Sequence, residues 1–219
     1  MTLAPREPDR PGAARWVPQQ GSLDDLRAAA PACRGCELWE PATQVVFSSG
    51  PATARMMLVG EQPGDKEDLA GKPFVGPAGI LLAGAVDAAG IDRSIVYVTN
   101  AVKHFRFEPR GKRRIHATPG PAHIVACHPW LEAEVAVVAP EVVVALGATA
   151  GRAVLGRTVR IGAERGHELE SAKSISPGSR LLLTAHPSAV LRMKGEPGYD
   201  EAYATLVADL RTAAGLLDG

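Results

Sequence analysis

Short apolar runs alternate with longer helical segments along most of this chain. Four runs have the composition of buried strands and stop at or just before a glycine, an asparagine or a histidine; they are residues 56–59, 95–99, 141–146 and 180–185. Helices are predicted from Pro77 to about Gly90, from Pro121 onward, over residues 148–155 and over residues 199–217. This alternation predicts a single α/β domain, with a largely parallel β-sheet flanked by helices on both faces.

The remaining segments give weaker signals. Residues 1–20 are rich in proline and arginine and lack periodicity, which predicts a flexible arm before a domain of residues 21–219. Ser22 is placed to cap a short helix, and residues 45–47 suit an edge strand. We expect a long polar loop after Asn100, and a hairpin or loops over residues 156–179.

Composition narrows the class of protein. With 219 residues, 46% hydrophobic and 22% charged, the chain suits one sizeable globular domain. The net charge is zero, so any nucleic-acid surface must be local. The first twenty residues lack the apolar core of a secretory signal, and the most apolar region is broken by Pro140 and Glu141. We therefore expect a cytoplasmic monomer that does not contact a membrane.

Polar side chains follow three of the predicted strands. Glu61, Asn100 and His186 stand at strand ends, and Gly147 follows the remaining strand, residues 141–146. Ligands of open α/β sheets bind outside the carboxyl ends of the strands, so a binding crevice is expected there. Each residue also has a plainer interpretation, because asparagine is common in turns and a histidine before proline is usually a turn residue.

The stretch that follows the first strand has an unusual glycine pattern. In GEQPGDKEDLAGKPFVG, the first glycines and a proline force a tight turn, and Phe74 lies between two flexible glycines. Neither a dinucleotide fingerprint nor a Walker loop is present. This pattern alone is equally compatible with Phe74 as a residue of the hydrophobic core in a strand–loop–helix unit.

Residues 60–82, GEQPGDKEDLAGKPFVGPAGILL, resemble the first motif of the uracil-DNA glycosylase superfamily in its iron–sulfur branch, close to family four. Later matches keep that family's order from Cys33 onward. The resemblance implies that Phe74 stacks on a flipped uracil, that Asn100 reads its edge and that Gln62 contacts it. In Ala-His-Pro-Ser, His186 would stabilise charge on uracil O2, and Ser188 would approach the DNA.

Three cysteines, two of them in a C-x-x-C pair, indicate a metal or redox site in a reducing compartment. The pair by itself is compatible with zinc, with a cluster or with a redox couple. The resemblance implies a 4Fe–4S cluster held by Cys33, Cys36, His104 and Cys127, where His104 occupies a position at which relatives carry cysteine. Zinc bound by three cysteines and one histidine is the competing interpretation, and His104 could also be a solvated loop residue.

Residues 103–116, KHFRFEPRGKRRIH, carry six basic residues against one glutamate and form the densest basic stretch of the chain. Lys112, Arg113 and Arg114 suit phosphate contacts, although a solvated charged loop is the plainer interpretation. The segment from Lys112 to Pro119 resembles the inserted loop of the UdgX group of this superfamily, whose members become covalently attached to uracil-containing DNA. That resemblance implies that His116, oriented by Glu61, traps the deoxyribose C1′.

Three functions follow from these motifs. The first is excision of uracil from DNA, favouring single strands, followed by covalent trapping on the abasic site through His116. The second is an ordinary multiple-turnover uracil-DNA glycosylase that uses water. The third is a non-catalytic iron–sulfur or zinc module that binds nucleic acid.

Overall fold

A six-stranded sheet forms the centre of the computed structural model, which describes residues 10–170 and 175–217. Its strands are β1 (Ser48–Ser49), β2 (Met56–Gly60), β3 (Val96–Asn100), β6 (Val142–Leu146), β7 (Glu168–Leu169) and β8 (Arg180–Thr184), and the strands between β3 and β6 belong to a separate hairpin. In the order β1-β3-β2-β6-β8-β7, the four central strands are parallel and the two edge strands antiparallel. The predicted largely parallel sheet is confirmed.

Helices cover both faces of this sheet. They are α1 (Leu23–Ala29), α2 (Asp65–Ala70), α3 (Pro77–Ala88), α4 (Pro121–Val138), α5 (Gly147–Leu155), α6 (Ile161–Glu164), α7 (Pro187–Arg192) and α8 (Tyr199–Gly215). Side chains alternate along β2, so Met57 and Val59 join the core under α1, α4 and α5, while Met56 and Leu58 join the core under α3, α7 and α8. Burial on both faces explains why the strands read as continuous apolar runs.

The basic segment is a β-hairpin and not the expected polar loop. Strands β4 (Phe107–Arg110) and β5 (Arg113–His116) pair antiparallel, with Phe107 opposite His116. Gly111, the first residue of the two-residue turn, has φ +60°, a value that glycine adopts readily at that position. The hairpin therefore presents His116 at the end of an ordered strand.

The N-terminal segment differs from the predicted flexible arm. From Arg10 onward it packs on the domain: Ala13 is 1% exposed and its amide donates to the Ala126 carbonyl at 2.7 Å. A Cβ on Gly35 would lie 2.8 Å from the Ala13 nitrogen, so glycine permits this close approach. The residues around Ala13 are therefore packed against the domain, while residues 1–9 of the predicted arm lie outside the described residues.

Smaller differences concern the edges of the sheet. The first edge strand lies at Ser48–Ser49 and not at residues 45–47. The weakly patterned stretch 156–179 contains α6 and β7, and its residues 171–174 lie outside the described part of the chain. Within the described residues, no helix combines the length and apolar character needed to cross a membrane.

Candidate active site

A cavity of about 390 Å³ opens at the carboxyl ends of the central strands. It is lined by Gln62, Gly64, Glu67, Phe74, Ala78, Gly79, Asn100, His116, His186, Ser188 and Arg192. The structure thus brings together the stacking, reading and histidine side chains that the sequence assigned to one site. They come from segments far apart in the chain, and the parallel sheet gathers them at one edge.

Gly60 allows an aromatic ring and an amide to meet at the end of β2. A Cβ at this position would lie 2.3 Å from Asn100 Oδ1 and 2.6 Å from Phe74 Cζ. Asn100 is paired with Gly60 in the sheet and is 2% exposed. Phe74 has φ +56°, a conformation that costs energy for a side chain with a Cβ and that is concentrated at functional sites. Ring and amide together form two walls of a base-sized space.

His186 caps the N-terminus of α7. Its Nδ1 accepts a hydrogen bond from the Ser188 backbone N–H at 3.2 Å and lies 2.8 Å from Ser188 Oγ. Because an amide nitrogen can only donate, Nδ1 carries no proton, and the neutral ring holds its proton on Nε2. Burial, aided by the neighbouring His116 and Arg192, lowers the pKa of His186 to about 4. At neutral pH the ring is therefore a neutral donor.

His116 lies beside a carboxylate. Its Nε2 is 3.4 Å from Glu61 Oε1, and the other carboxylate oxygen accepts a hydrogen bond from the Thr149 hydroxyl. The His116 side chain is 48% exposed and that of Glu61 20%, so the imidazole remains accessible from solvent. A carboxylate in this position can orient the imidazole and stabilise a positive charge that develops on it.

Gln62 joins the base of the hairpin to the end of β2. Its oxygen accepts from the Arg106 amide at 3.0 Å, and its nitrogen donates to the carbonyls of Arg106 and Ala117, both at 3.1 Å. The same nitrogen lies 3.0 Å from His116 Nε2. Gln62 borders the cavity as expected, but its amide group is occupied in holding the loop that carries His116.

The three basic residues of the hairpin are in different environments. Lys112 and Arg113 are exposed at the turn, as phosphate contacts require. Arg114 instead binds Asp65 at 2.7 Å and the buried Asp68 at 2.5 Å. Its guanidinium group is thus paired with two carboxylates and anchors the hairpin to α2, a role that the sequence prediction of a DNA contact did not include. Ser188, also predicted to approach DNA, lines the cavity but bonds to His186.

The sulfur ligands proposed from the sequence are all buried and free. Trp130 Nε1 donates to Cys33 Sγ at 3.2 Å, and the Lys103 backbone N–H donates to Cys127 Sγ at 3.3 Å. Burial raises the pKa of Cys36 to about 11 and of Cys127 to about 12. Thiols in such a setting become thiolates when a bound metal supplies positive charge, and hydrogen bonds to sulfur then stabilise that charge.

His104 is 5% exposed, and burial lowers its pKa to about 4, which suits a neutral nitrogen ligand. Among the described residues, no three or more His, Cys, Asp or Glu side chains are grouped closely enough for one metal ion. All ligands of a zinc site lie within about 2.3 Å of one atom, whereas a four-iron cluster takes its ligands on different irons and holds them farther apart.

A buried ion pair supports the strand end that carries Asn100. Lys103, which is 1% exposed, pairs with Glu134, which is 0% exposed. Lys103 Nζ also donates to the Asn100 carbonyl at 2.9 Å and to Thr99 Oγ1 at 2.6 Å. Glu134 belongs to α4, the helix of Cys127, so the pair connects the cysteine region with the base-sized space. Buried pairs of this kind are strongly destabilising when one partner alone is removed.

Sequence reasoning missed two further side chains. The Glu67 carboxylate accepts from the amides of Gly64 at 3.1 Å and Gly76 at 2.6 Å, and so joins the two loops that flank Phe74. Its position three residues after Gly64 is the spacing of a helix-capping residue, which was an available signal. Thr149 contacts Glu61 from the first turn of α5, and no local pattern marks that contact.

Comparison with known proteins agrees with this arrangement. The family described as "Uracil DNA glycosylase superfamily" matches residues 47–211. A "Type-4 uracil-DNA glycosylase" of Thermotoga maritima is 39% identical over 161 residues, which are 73% of this chain and 78% of that protein. Proteins of the same name from Pyrobaculum aerophilum and Archaeoglobus fulgidus are 33% identical over 181 residues (80% and 88% of the two chains) and 37% identical over 126 residues (58% and 60%). The chain therefore belongs to the uracil DNA glycosylase superfamily.

Proposed function

We propose that this protein removes uracil from DNA and then remains covalently attached to the abasic site through His116. The observation that carries the proposal is the contact of His116 with Glu61, at 3.4 Å, beside a cavity that also holds Phe74, Asn100 and His186. The names of the relatives support the removal of uracil. The likeness of residues 112–119 to the UdgX loop supports the covalent attachment.

Base recognition would use the Phe74 ring and the Asn100 amide, which meet at Gly60. The glycosidic bond cannot be reached inside a stacked duplex, so the nucleotide must be flipped into the cavity. There Phe74 stacks on the base, and the Asn100 amide offers an acceptor to uracil N3–H and a donor to O4. The ion pair beneath Asn100 keeps the strand end fixed while the amide discriminates.

Cleavage would depend on the neutral His186. The N1–C1′ bond breaks with its electron pair moving to uracil, which leaves as an anion while the sugar becomes oxocarbenium-like. The Nε2–H of His186 donates to the developing charge on O2. The lowered pKa of His186 keeps its ring neutral at neutral pH, so it acts as a hydrogen-bond donor and not as a cation. Leaving-group stabilisation therefore comes from the α7 side of the cavity.

Capture would come from the hairpin side. A ring nitrogen of neutral His116 attacks C1′, forming an N–C1′ bond and leaving a positive charge on the alkylated imidazole. The Glu61 carboxylate beside the ring stabilises this charge. An alkylated imidazole is displaced only with difficulty, so each protein molecule would turn over once and remain on the abasic site.

The DNA contact would be local. Lys112 and Arg113 extend from the hairpin turn and are free to bind phosphates flanking the flipped nucleotide. A single strand costs no base pair to open, so we propose that single-stranded uracil DNA is the preferred substrate. We propose that the protein acts as a monomer.

We also propose a 4Fe–4S cluster held by Cys33, Cys36, His104 and Cys127. Its role would be structural, because it ties the N-terminal C-x-x-C segment to the loop after β3 and to α4. His104 and Cys127 adjoin Lys103, so the cluster would stabilise the ion pair under Asn100.

One denaturing gel separates the three candidate functions. The protein is incubated with labelled single-stranded DNA containing one uracil, then heated in denaturant. We expect a retained band of the protein–DNA adduct. Free DNA that breaks in alkali, without the band, would indicate the multiple-turnover glycosylase that the relatives' names favour. Intact DNA under all conditions would leave only nucleic-acid binding.

Asn100→Ala should slow uracil excision by on the order of 10- to 100-fold, because it removes a bidentate base contact of roughly 1–3 kcal/mol. The measurement is single-turnover uracil release, with cytosine in the same sequence context as the selectivity control. An Asn100→Ala protein with the parent's rate and selectivity would show that another residue reads the base.

The lowered pKa of His186 predicts a dependence of stability on pH. In the unfolded chain histidine titrates near 6.5, whereas in the fold the pKa of His186 is about 4. Between these values the unfolded chain binds one more proton, so the free energy of unfolding falls with falling pH by up to about 1.4 kcal/mol per unit. Denaturant unfolding of wild type and His186→Asn from pH 7 to 4.5 measures this. The difference in free energy of unfolding between wild type and His186→Asn should shrink toward low pH. A difference that stays constant would contradict the lowered pKa of His186.

A further inference from the structure

Three side chains from three separate elements are connected beside the cavity. Glu61 follows β2, His116 ends β5 and Thr149 lies in the first turn of α5. The Thr149 hydroxyl donates a hydrogen bond to Glu61 Oε2, while Glu61 Oε1 faces His116 Nε2 at 3.4 Å. One carboxylate thus has one oxygen held by a hydroxyl and the other directed at the imidazole.

The helix that carries Thr149 adds to this arrangement. Thr149 is the third residue of α5, so the carboxylate lies at the N-terminal end of that helix, where the backbone N–H groups and the helix dipole favour negative charge. Gly147, the first residue of α5, has φ +88°, and a Cβ there would lie 2.9 Å from His186 Cβ. Close packing of Gly147 against His186 therefore fixes the turn that brings Thr149 to Glu61.

We propose that Thr149 is a positioning residue that directs the Glu61 carboxylate toward His116 and so favours capture of C1′ by the imidazole over capture by water. The inference rests on the proposed function. The imidazole is neutral before attack and cationic afterwards, because the new N–C1′ bond uses its lone pair. A carboxylate held in place stabilises that change of charge without having to reorient, whereas a carboxylate that is one-fifth exposed and unrestrained can turn toward solvent.

Thr149 is separated from the groups that would cleave the glycosidic bond. It lines a different surface pocket, next to Arg152 and Pro119, and is absent from the lining of the cavity that holds Phe74, Asn100 and His186. A change at Thr149 should therefore alter capture much more than uracil release. A purely structural role would instead lower both rates together.

The test uses the full-length protein with its cofactor, in excess over single-stranded DNA that contains uracil. Free uracil and the denaturant-stable adduct are measured over time for wild type, Thr149→Val and Thr149→Ser. Valine keeps the shape and removes the hydroxyl, so adduct formation should slow on the order of 10- to 100-fold, as expected for one hydrogen bond to a charged group, and abasic DNA should accumulate. Uracil release should stay within about twofold. Serine restores the hydroxyl and should restore capture.

A double-mutant cycle assigns the effect to Glu61. In a Glu61→Gln background, Thr149→Val should slow capture no further, because the carboxylate it positions is gone. Equal capture rates for wild type and Thr149→Val, or a serine variant as slow as the valine variant, would overturn this inference alone. A wild type that releases uracil and forms no adduct would overturn the proposed function, and this inference with it.

Discussion

His116→Ser should lose the denaturant-stable adduct completely while still releasing uracil. In the proposed mechanism cleavage depends on His186, Asn100 and Phe74, none of which changes, whereas capture depends on the imidazole nitrogen. The smaller serine leaves space for water at C1′, so the product should be an abasic site that breaks in alkali. The measurement is a denaturing gel of adduct together with quantified free uracil.

His167→Ser is the matched control, because His167 is exposed and its Nδ1 hydrogen-bonds to the carbonyl of Arg165, far from the cavity residues in the sequence. That variant should form the adduct as the parent does. Peptide mapping of the parent adduct after nuclease digestion should place the deoxyribose mass on His116. Finding the mass on Lys112, in an adduct that survives only after borohydride reduction, would indicate Schiff-base chemistry and refute the histidine mechanism.

The fold was predictable because its strands are buried on both faces. Along β2, every residue from Met56 to Gly60 is buried, so the strand appears in the sequence as an uninterrupted apolar run. The polar residue after each such run then falls at one edge of the parallel sheet. This is enough to place Glu61, Asn100 and His186 near each other without any knowledge of side-chain contacts.

The charge run 103–116 shows where such reasoning fails. Lys112, Arg113 and Arg114 are equivalent in the sequence, but only Arg114 meets two carboxylates, and these lie 49 and 46 residues away in the chain. The large separation in sequence hides these partners, so an arginine that anchors the hairpin looks the same as one that stays exposed at its turn. The hairpin itself could have been predicted from the sequence, because a Gly-Lys pair separates its two strands.

Contacts between side chains of distant segments account for the other omissions. Thr149 meets Glu61 across 88 residues, and Glu134 meets Lys103 across 31. Gln62 has the polarity of a base-binding residue, and only the positions of the Arg106 and Ala117 carbonyls show that its amide holds the hairpin. Periodicity and composition carry no information about such pairings, which depend on how the helices pack against the sheet.

The purified protein should be brown and contain iron and sulfide, and Cys127→Ala should lose both. Cys127 lies in α4 between Trp130 and the segment of Lys103, so the cofactor would join the helix to the end of β3. Binding and folding are coupled at such sites, so this variant should also unfold at a markedly lower temperature. Iron and sulfide assays on anaerobically prepared protein, with thermal unfolding followed by circular dichroism, measure both effects.

His104 provides the sharper test of the ligand set. His104→Cys replaces the imidazole with a thiolate, the ligand type that the family resemblance implies at this position. This variant should keep iron and sulfide, with a shifted absorption spectrum, because ligand type alters the electronic structure of the cluster. His104→Ala should bind the cofactor weakly and lose it on dilution into chelator. A His104→Ala protein as rich in iron as the parent would remove His104 from the ligand set. Zinc without iron or sulfide in the parent would refute the cluster itself and would favour a site of three cysteines and one histidine.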